Sequence, residues 1–152
     1  MGPELKTIIL AMTPINELRG TIPLAIGLWH LDPLKTFFLA CLGNIIPVFF
    51  LLWFWKNLAG LLMKKSRLIN KLFTWLFEKT RRRFYKKHSL YGDLALFLFV
   101  AIPLPFTGAW TGTVASFIFG MSYGKGLGLI SMGVIFAGIL VLLGTMGVIS
   151  IF

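Results

Sequence analysis

The chain has 152 residues, of which 57% are hydrophobic and only 13% are charged, and its net charge at neutral pH is +10. A soluble domain of this length cannot bury so much apolar surface, so the composition excludes an ordinary globular protein. The single cysteine, Cys41, gives neither a disulfide nor a metal pattern, and motifs for nucleotide binding or nucleophilic hydrolysis are missing. The sequence predicts an integral membrane protein of the all-α class that is not an enzyme and needs no cofactor or metal.

The first apolar stretch, residues 7–29, has the length of a membrane helix but is broken at its middle by Glu17-Leu18-Arg19. Each arm of about ten residues is ~15 Å long, roughly half of a ~30 Å hydrocarbon core. The stretch therefore predicts a re-entrant helical hairpin that turns near the midplane, inside protein or beside a water-filled cavity. The residues expected to shape its turn are Pro14, Gly20 and Pro23.

Glu17 and Arg19 are the strongest candidates for function, because an ionisable group at membrane depth costs about 2.5–3.5 kcal/mol. Glu17 suits the binding and release of a proton. Arg19 presents five donors in a fork that suits a phosphate or a carboxylate. Two alternatives stay open: the two charges pair and fix the tip of the hairpin, or the tip is shallow and both charges are hydrated.

Residues 34–55 follow as a predicted spanning helix that contains the charge-free run 36–55. Asn44 and Pro47 interrupt this stretch. A buried amide needs a hydrogen-bond partner, so Asn44 either faces a cavity between the hairpins or bonds to a neighbouring helix. Trp55, at the end of the run, is expected to anchor the helix at the membrane interface.

Residues 56–90 form a basic linker, because eleven of the fifteen Lys and Arg residues lie between Lys56 and Lys87. Its leucines recur at helical spacing with basic residues between them, which predicts an amphipathic helix. The positive-inside bias places the linker in the cytoplasm, and the pattern indicates a lipid-facing segment rather than a nucleic-acid site. Its apolar face lies either in the headgroup region or against the helical bundle.

The second broken stretch, residues 94–119, is interrupted by Pro103, Pro105 and Gly108. Proline at these positions disrupts a helix at its centre, so a second re-entrant hairpin is predicted. The start of its second arm supplies unpaired N–H groups that suit an anionic group. The candidate binding residues there are Thr107, Thr111 and Thr113, with Gly112 at the backbone. Small residues spaced by four favour close helix packing instead, and these are Gly112, Ser116 and Gly120.

A weak internal repeat relates the two halves of the chain. Gly20-Thr21 corresponds to Gly112-Thr113 at an offset of 92 residues, and Lys35 and Gly43 correspond to Lys125 and Gly133 at an offset of 90. We therefore predict one membrane domain, with a first repeat at 1–55, the linker at 56–90 and a second repeat at 91–152 that ends in a span at 125–152. Such an inverted repeat places both termini outside. The alternative, four full crossings, places both termini in the cytoplasm.

Three motifs carry a resemblance to a known family: NELRGTIPLAIG at 16–27, LGN at 42–44 and IPLPFTGAWTGTVASFIFG at 102–120. The chain resembles the small multidrug export protein family over most of its length, and more distantly the DedA or VTT membrane proteins. That resemblance implies two re-entrant hairpins packed against spanning helices in an inverted repeat. DedA-like proteins carry an acidic residue in the first hairpin and an arginine in the second, whereas Glu17 and Arg19 both lie in the first.

These features favour a small transporter in a prokaryotic cell membrane, with a midplane site between two hairpin tips. The expected substrate is anionic or amphipathic, such as a lipid-linked phosphate, and its movement is expected to be coupled to protons through Glu17. The alternatives are an exporter of cationic drugs, for which Glu17 is the counter-charge, and a membrane scaffold that acts through the basic linker. The expected partners are membrane lipids and a second copy of the chain, without nucleic acid.

Overall fold

The computed structural model describes residues 2–85, 89–104 and 107–151, and these residues form α-helices without a β-strand. The predicted all-α class is therefore confirmed for the described part of the chain. Pro105 and the linker residues 86–88 lie outside it. The helices are α1 (Pro3–Met12), α2 (Glu17–Trp29), α3 (Pro33–Lys65), α4 (Arg67–Tyr85), α5 (Ser89–Ala101), α6 (Ala109–Ile118) and α7 (Tyr123–Ile151).

Two of these helices, α3 and α7, are long and apolar enough to cross a membrane. With 33 and 29 residues, they are ~50 Å and ~44 Å long, more than a ~30 Å hydrocarbon core requires. The helices α1, α2, α5 and α6 have 10 to 13 residues each. At ~15–20 Å, each of these is too short to cross the core alone.

The first break lies at residues 13–16 rather than at 17–19, so Glu17 begins α2. The residue before a proline is disfavoured in the helical region, and Thr13, which precedes Pro14, is extended with ψ of 143°. The helix α1 therefore ends before the charged residues. Gly20 and Pro23 lie inside α2 instead of in its turn, and Pro23 is on the exposed side.

The helix α3 continues through Pro47 and past the expected boundary at residue 55, and it ends at Lys65. Ser66, which is extended, separates it from α4. The charges from Lys56 onward mark the edge of the apolar run, but lysine and leucine are good helix formers, so nothing in the sequence ends the helix there. The basic linker therefore begins as a continuation of the first long helix.

The antiparallel pair of α3 and α7 forms the centre of the bundle. Phe37 and Cys41, early in α3, contact Gly138, whereas Leu52, later in α3, faces Gly126 at the start of α7. Around this pair, α1 packs on α3 and α5 packs on α7, while α2 contacts α7 and α6 contacts α3. The largest fully buried apolar side chains come from four helices and are Leu18, Ile22, Val48, Leu96, Val100, Ile130 and Val134.

Two glycines let the outer helices approach the long helices closely. A Cβ at Gly43 of α3 would lie 2.5 Å from the carbonyl oxygen of Ile8 in α1, and a Cβ at Gly133 of α7 would lie 2.7 Å from Cβ of Val100 in α5. Close approach at small residues is how helices pack when the solvent is lipid. The predicted packing role of small residues in the second half is also present at Gly112, where a Cβ would lie 2.6 Å from Cγ2 of Val100.

The basic helix α4 has both an inner and an exposed apolar side. Phe73 makes an edge contact with Phe117 of α6, with ring centroids 5.7 Å apart. Leu68, Leu72 and Trp75 remain exposed. One side of α4 therefore packs on the bundle and the other side is exposed. A location of the exposed side in the headgroup region stays a prediction.

Candidate functional site

The turn between α1 and α2 meets the segment between α5 and α6. Trp110, in the first turn of α6, connects the two. Its indole N–H donates to the carbonyl of Met12 at 3.2 Å, and its backbone N–H donates to Oε1 of Glu17 at 3.4 Å. Met12 ends α1 and Glu17 begins α2, so one tryptophan bonds to both sides of the first turn.

The Glu17 carboxylate lies at the N-terminus of α6, where helical N–H groups have no partner within the helix. The partial positive charge of a helix N-terminus stabilises a carboxylate. Glu17 is 6% exposed, and its backbone has a φ of +44°, which few residues other than glycine adopt. Such a conformation costs about 1–3 kcal/mol and persists where surrounding contacts fix it, as they often do at functional sites.

Gly108 precedes α6 and makes room for this carboxylate. A Cβ at Gly108 would overlap the side-chain oxygens of Glu17. Its φ of +152° is also a conformation that favours glycine. Residue 108 was predicted as a turn residue, and the structure shows a specific reason for glycine at this position.

The Arg19 guanidinium contacts the α5 end of the break between α5 and α6. It donates to the carbonyls of Leu104 and Ile102, the latter at 3.4 Å, and to Oγ1 of Thr107 at 3.2 Å. The Val100 carbonyl in the last turn of α5 lies 3.5 Å away. Carbonyls at a helix C-terminus have no intrahelical partner and carry partial negative charge. Arg19 therefore satisfies the carboxyl end of α5 while Glu17 satisfies the amino end of α6.

This crossed arrangement differs from the alternative in which the two charges neutralise each other. Among the described residues, the side-chain hydrogen bonds of Glu17 and Arg19 go to the second broken segment, 81 to 93 residues away. The charges of the first break thus complete the backbone hydrogen bonding of the second. The two breaks form one polar unit.

A cleft of about 620 Å³ opens between the two breaks. Of the predicted binding residues, Glu17, Arg19, Thr107 and Thr111 line it, and Pro14, Gly20 and Pro103 of the predicted turn residues do so as well. The remaining wall consists of Ile15, Asn16, Leu104 and Trp110. This combination of apolar walls with a few polar groups is typical of a small-molecule site.

Thr113 and Asn44, both predicted as binding residues, lie outside the wall of the cleft. Thr113 is fully buried, donates to the carbonyl of Trp110 at 2.7 Å and accepts the indole N–H of Trp55 at 3.2 Å. Trp55 therefore joins α3 to α6 instead of serving only as an interfacial anchor. Asn44 is 1% exposed, and its Oδ1 has no hydrogen-bond partner in the described part of the chain.

Trp110 is the site residue that the sequence reasoning did not select. The available signal is its position two residues after Gly108, in the first turn of α6. An indole N–H at a helix start can reach a carbonyl of another segment, whereas the Thr111 hydroxyl donates locally, to the Gly108 carbonyl at 3.4 Å. Among the described residues, no group of three or more His, Cys, Asp and Glu side chains could hold a metal ion.

One family model matches the chain. It is described as "Putative small multi-drug export protein" and covers residues 17–140, which begin at Glu17 and include the break between α5 and α6 and most of α7. No curated protein and no solved structure matches the chain. The wider resemblance to the DedA and VTT proteins stays a prediction.

Proposed function

Because the chain belongs to the small multi-drug export protein family, we propose that it is a membrane transporter whose substrate binds in the cleft between the two breaks. The family and the two long apolar helices indicate a membrane export protein. The observation that carries the proposal is the cleft itself, which has Glu17 and Arg19 in one wall and the start of α6 in the other.

We propose that α1–α2 and α5–α6 are re-entrant hairpins of an inverted repeat. Their short lengths support this, since neither arm crosses the membrane alone. The matching contacts at Gly43 and Gly133 support it too, because each glycine receives the first helix of its own half. The contacts of α2 with α7 and of α6 with α3 are likewise exchanged between the halves.

Two ion pairs add to this support. Lys35 Nζ lies 3.0 Å from Glu4, and Lys125 Nζ lies 2.8 Å from Asp93. Each pair joins the first helix of a half to the start of its long helix. Because α3 and α7 run antiparallel, the two pairs lie at opposite ends of the bundle, as an inverted repeat requires.

The substrate that fits the cleft best is an amphipathic molecule with a phosphate or carboxylate. Arg19 is partly exposed to the cleft and Glu17 is 6% exposed, so an incoming charge meets the guanidinium first. A volume of about 620 Å³ accommodates a headgroup, while a long hydrocarbon chain would remain in the bilayer. Thr107 and Thr111 add hydroxyl groups to the same wall.

Glu17 is the proposed proton-coupling group. Its protonation would remove the negative charge from the N-terminus of α6 and weaken the tie between the two breaks. A substrate anion at Arg19 would compete with the carbonyls of the second break. Both events act on the same contacts between the breaks, which provides a physical route for coupling proton binding to substrate movement.

A second candidate, the export of cationic drugs, is favoured by one observation: Glu17 is the acidic residue in the wall of the cleft. The neighbouring guanidinium of Arg19 would repel a cation there. A third candidate, a membrane scaffold, rests on the exposed apolar side of α4. We also propose that two chains associate to enclose the pathway, since a single chain has two long helices.

The test is transbilayer movement of a fluorescent polyprenyl phosphate in proteoliposomes, with and without a pH gradient. Arg19→Ala should abolish movement, Glu17→Gln should remove its dependence on the gradient, and Lys64→Gln, on the remote linker, should change neither. Efflux of a cationic dye that requires Glu17 but not Arg19 would favour the drug exporter. If the folded protein moves neither probe, the proposed transport function is refuted.

A further inference from the structure

A second cavity of about 370 Å³ lies away from the cleft, where the later part of α3 meets the end of α6 and the start of α7. Its wall is mainly apolar, with one cationic group and several hydroxyls. The residues that matter to its chemistry are Leu52, Lys56, Met63, Ser116, Ser122 and Tyr123.

The position of Lys56 along α3 sets the depth of this cavity. Between Lys35 and Lys56, the run 36–55 carries no charge and spans ~30 Å, which is the thickness of the hydrocarbon core. Lys56 is therefore at the edge of the core. Leu52 faces Gly126, so Lys125 at the start of α7 is at the same edge.

This end of the bundle is strongly basic. Asp93, the nearby acid of α5, is bonded to Lys125 at 2.8 Å. Within the described ranges, no carboxylate forms an ion pair with Lys56, which is exposed. The basic residues that continue from it along α3 and into α4 are Lys64, Lys65, Arg67 and Lys71. An anionic headgroup is the complement of such a surface.

The cavity walls are held by contacts between helices. Tyr123 donates its hydroxyl to the carbonyl of Phe49 at 3.1 Å, which joins α7 to α3. Phe117 stacks on Trp55 with centroids 6.2 Å apart and also meets Phe73 of α4. Three helices, α3, α6 and α7, thus form the cavity wall, and α4 packs on it through Phe73.

We propose that this cavity binds the phosphate headgroup of an anionic phospholipid, with Lys56 holding the phosphate and the acyl chains lying along the outer face of α3. The commitment to a lipid rests on the depth of Lys56, on the mainly apolar wall and on the exposed Trp53 and Phe54 next to it. The site is separate from the cleft, so the proposal of a lipid site does not depend on the proposed transport activity.

The test is native mass spectrometry of the detergent-solubilised protein with phosphatidylglycerol and with phosphatidylcholine of the same acyl chains. The wild type should retain one phosphatidylglycerol in preference to phosphatidylcholine. Lys56→Gln should reduce that preference about fivefold, as expected for one surface lysine. Lys64→Gln is the matched control, and it should reduce the preference for phosphatidylglycerol less than Lys56→Gln does. Gly60→Phe should fill the cavity, and it should fold because a Cβ there meets nothing within 4 Å.

Four results would overturn the proposal. The first is equal retention of the two lipids by the wild type. The second is an equal loss of preference in Lys56→Gln and Lys64→Gln, which would indicate diffuse surface charge. The third is competition by inorganic phosphate as effective as that by phosphatidylglycerol, which would indicate a site for free phosphate. A Gly60→Phe protein with native circular dichroism and unchanged retention would also exclude the cavity as the site.

Discussion

The Glu17 carboxylate accepts a hydrogen bond from the backbone N–H of Trp110 at 3.4 Å, although 93 residues separate them in the chain. Two residues after Glu17, Arg19 donates to the carbonyls of Leu104 and Ile102, on the α5 side of the break between α5 and α6. The charged side chains of the first half therefore bond to the backbone groups at the end of α5 and at the start of α6. In a low-dielectric surrounding an unsatisfied backbone group costs several kcal/mol, so this arrangement supports the proposal that the second break lies inside the membrane.

Gly108→Ala should destabilise the protein by about 1–3 kcal/mol, because the backbone φ of +152° disfavours alanine and the added methyl group overlaps Glu17. Thermal unfolding in detergent measures the change. Gly124→Ala is the matched control, since a Cβ there meets nothing within 4 Å. The double variant Glu17→Ala with Gly108→Ala should lose less than the two single changes combined. Simple additivity would contradict the contact.

Arg19→Lys should loosen the segment after α5 while the fold is retained. A lysine keeps the charge but replaces the guanidinium fork by a single ammonium group, which cannot reach several carbonyls and Thr107 together. We expect faster amide hydrogen exchange between residues 102 and 112, and a loss of stability of about 1.5–3 kcal/mol. Arg67→Lys, at the exposed start of α4, is the control. Unchanged exchange in Arg19→Lys would show that the fork is dispensable.

Gly43→Ala and Gly133→Ala should lower the free energy of unfolding by similar amounts, because the two glycines occupy matching places in the two halves. The added Cβ would lie 2.5 Å from the Ile8 carbonyl oxygen in one case and 2.7 Å from Val100 Cβ in the other. Overpacking of this kind costs about 1–3 kcal/mol. Gly144→Ala in α7 meets nothing within 4 Å and should be neutral or stabilising. A large loss of stability on substitution of only one of the two glycines would argue against equivalent halves.

The sequence predicts the long helices and the presence of both breaks, because hydropathy and proline are local signals. The runs 36–55 and 126–152 carry no charge, and Pro14 and Pro103 each lie between two short helices. The extent of α3 is less predictable, because the lysines from Lys56 onward mark the edge of the apolar run without disfavouring a helix.

The partners of the charged residues depend on tertiary contacts that no local pattern encodes. The spacing of Glu17 and Arg19 is compatible with pairing, with exposure or with a substrate site, and only the position of the second break selects the crossed arrangement. Thr113 is a similar case. Thr107 and Thr111 line the cleft, but Thr113 lies two residues beyond Thr111, on the opposite side of α6, where its hydroxyl accepts the indole N–H of Trp55.

The two ion pairs should differ in strength and in their response to pH. The side chains of Lys35 and Glu4 are 53% and 44% exposed, whereas Asp93 in the other pair is 20% exposed. Water screens exposed pairs, which contribute little to stability, so Asp93→Asn should lower the melting temperature more than Glu4→Gln. Double-mutant cycles with Lys125→Gln and Lys35→Gln measure each coupling free energy. Equal couplings would contradict the difference in burial.

For the more exposed pair, the sign of the pH effect follows from the pKa of Glu4. Hydrogen bonding to its own backbone N–H, and then Lys35, holds the pKa of Glu4 below its ordinary value of 4.5. A carboxyl group whose pKa is lowered by folding binds fewer protons in the folded state, so it stabilises the protein above its unfolded pKa. That stability is lost as the pH falls from 4.5 through the folded pKa. Glu4→Gln should therefore remove part of the acid dependence of unfolding below pH 4.5, and Lys35→Gln should remove a smaller part, because the backbone hydrogen bond remains.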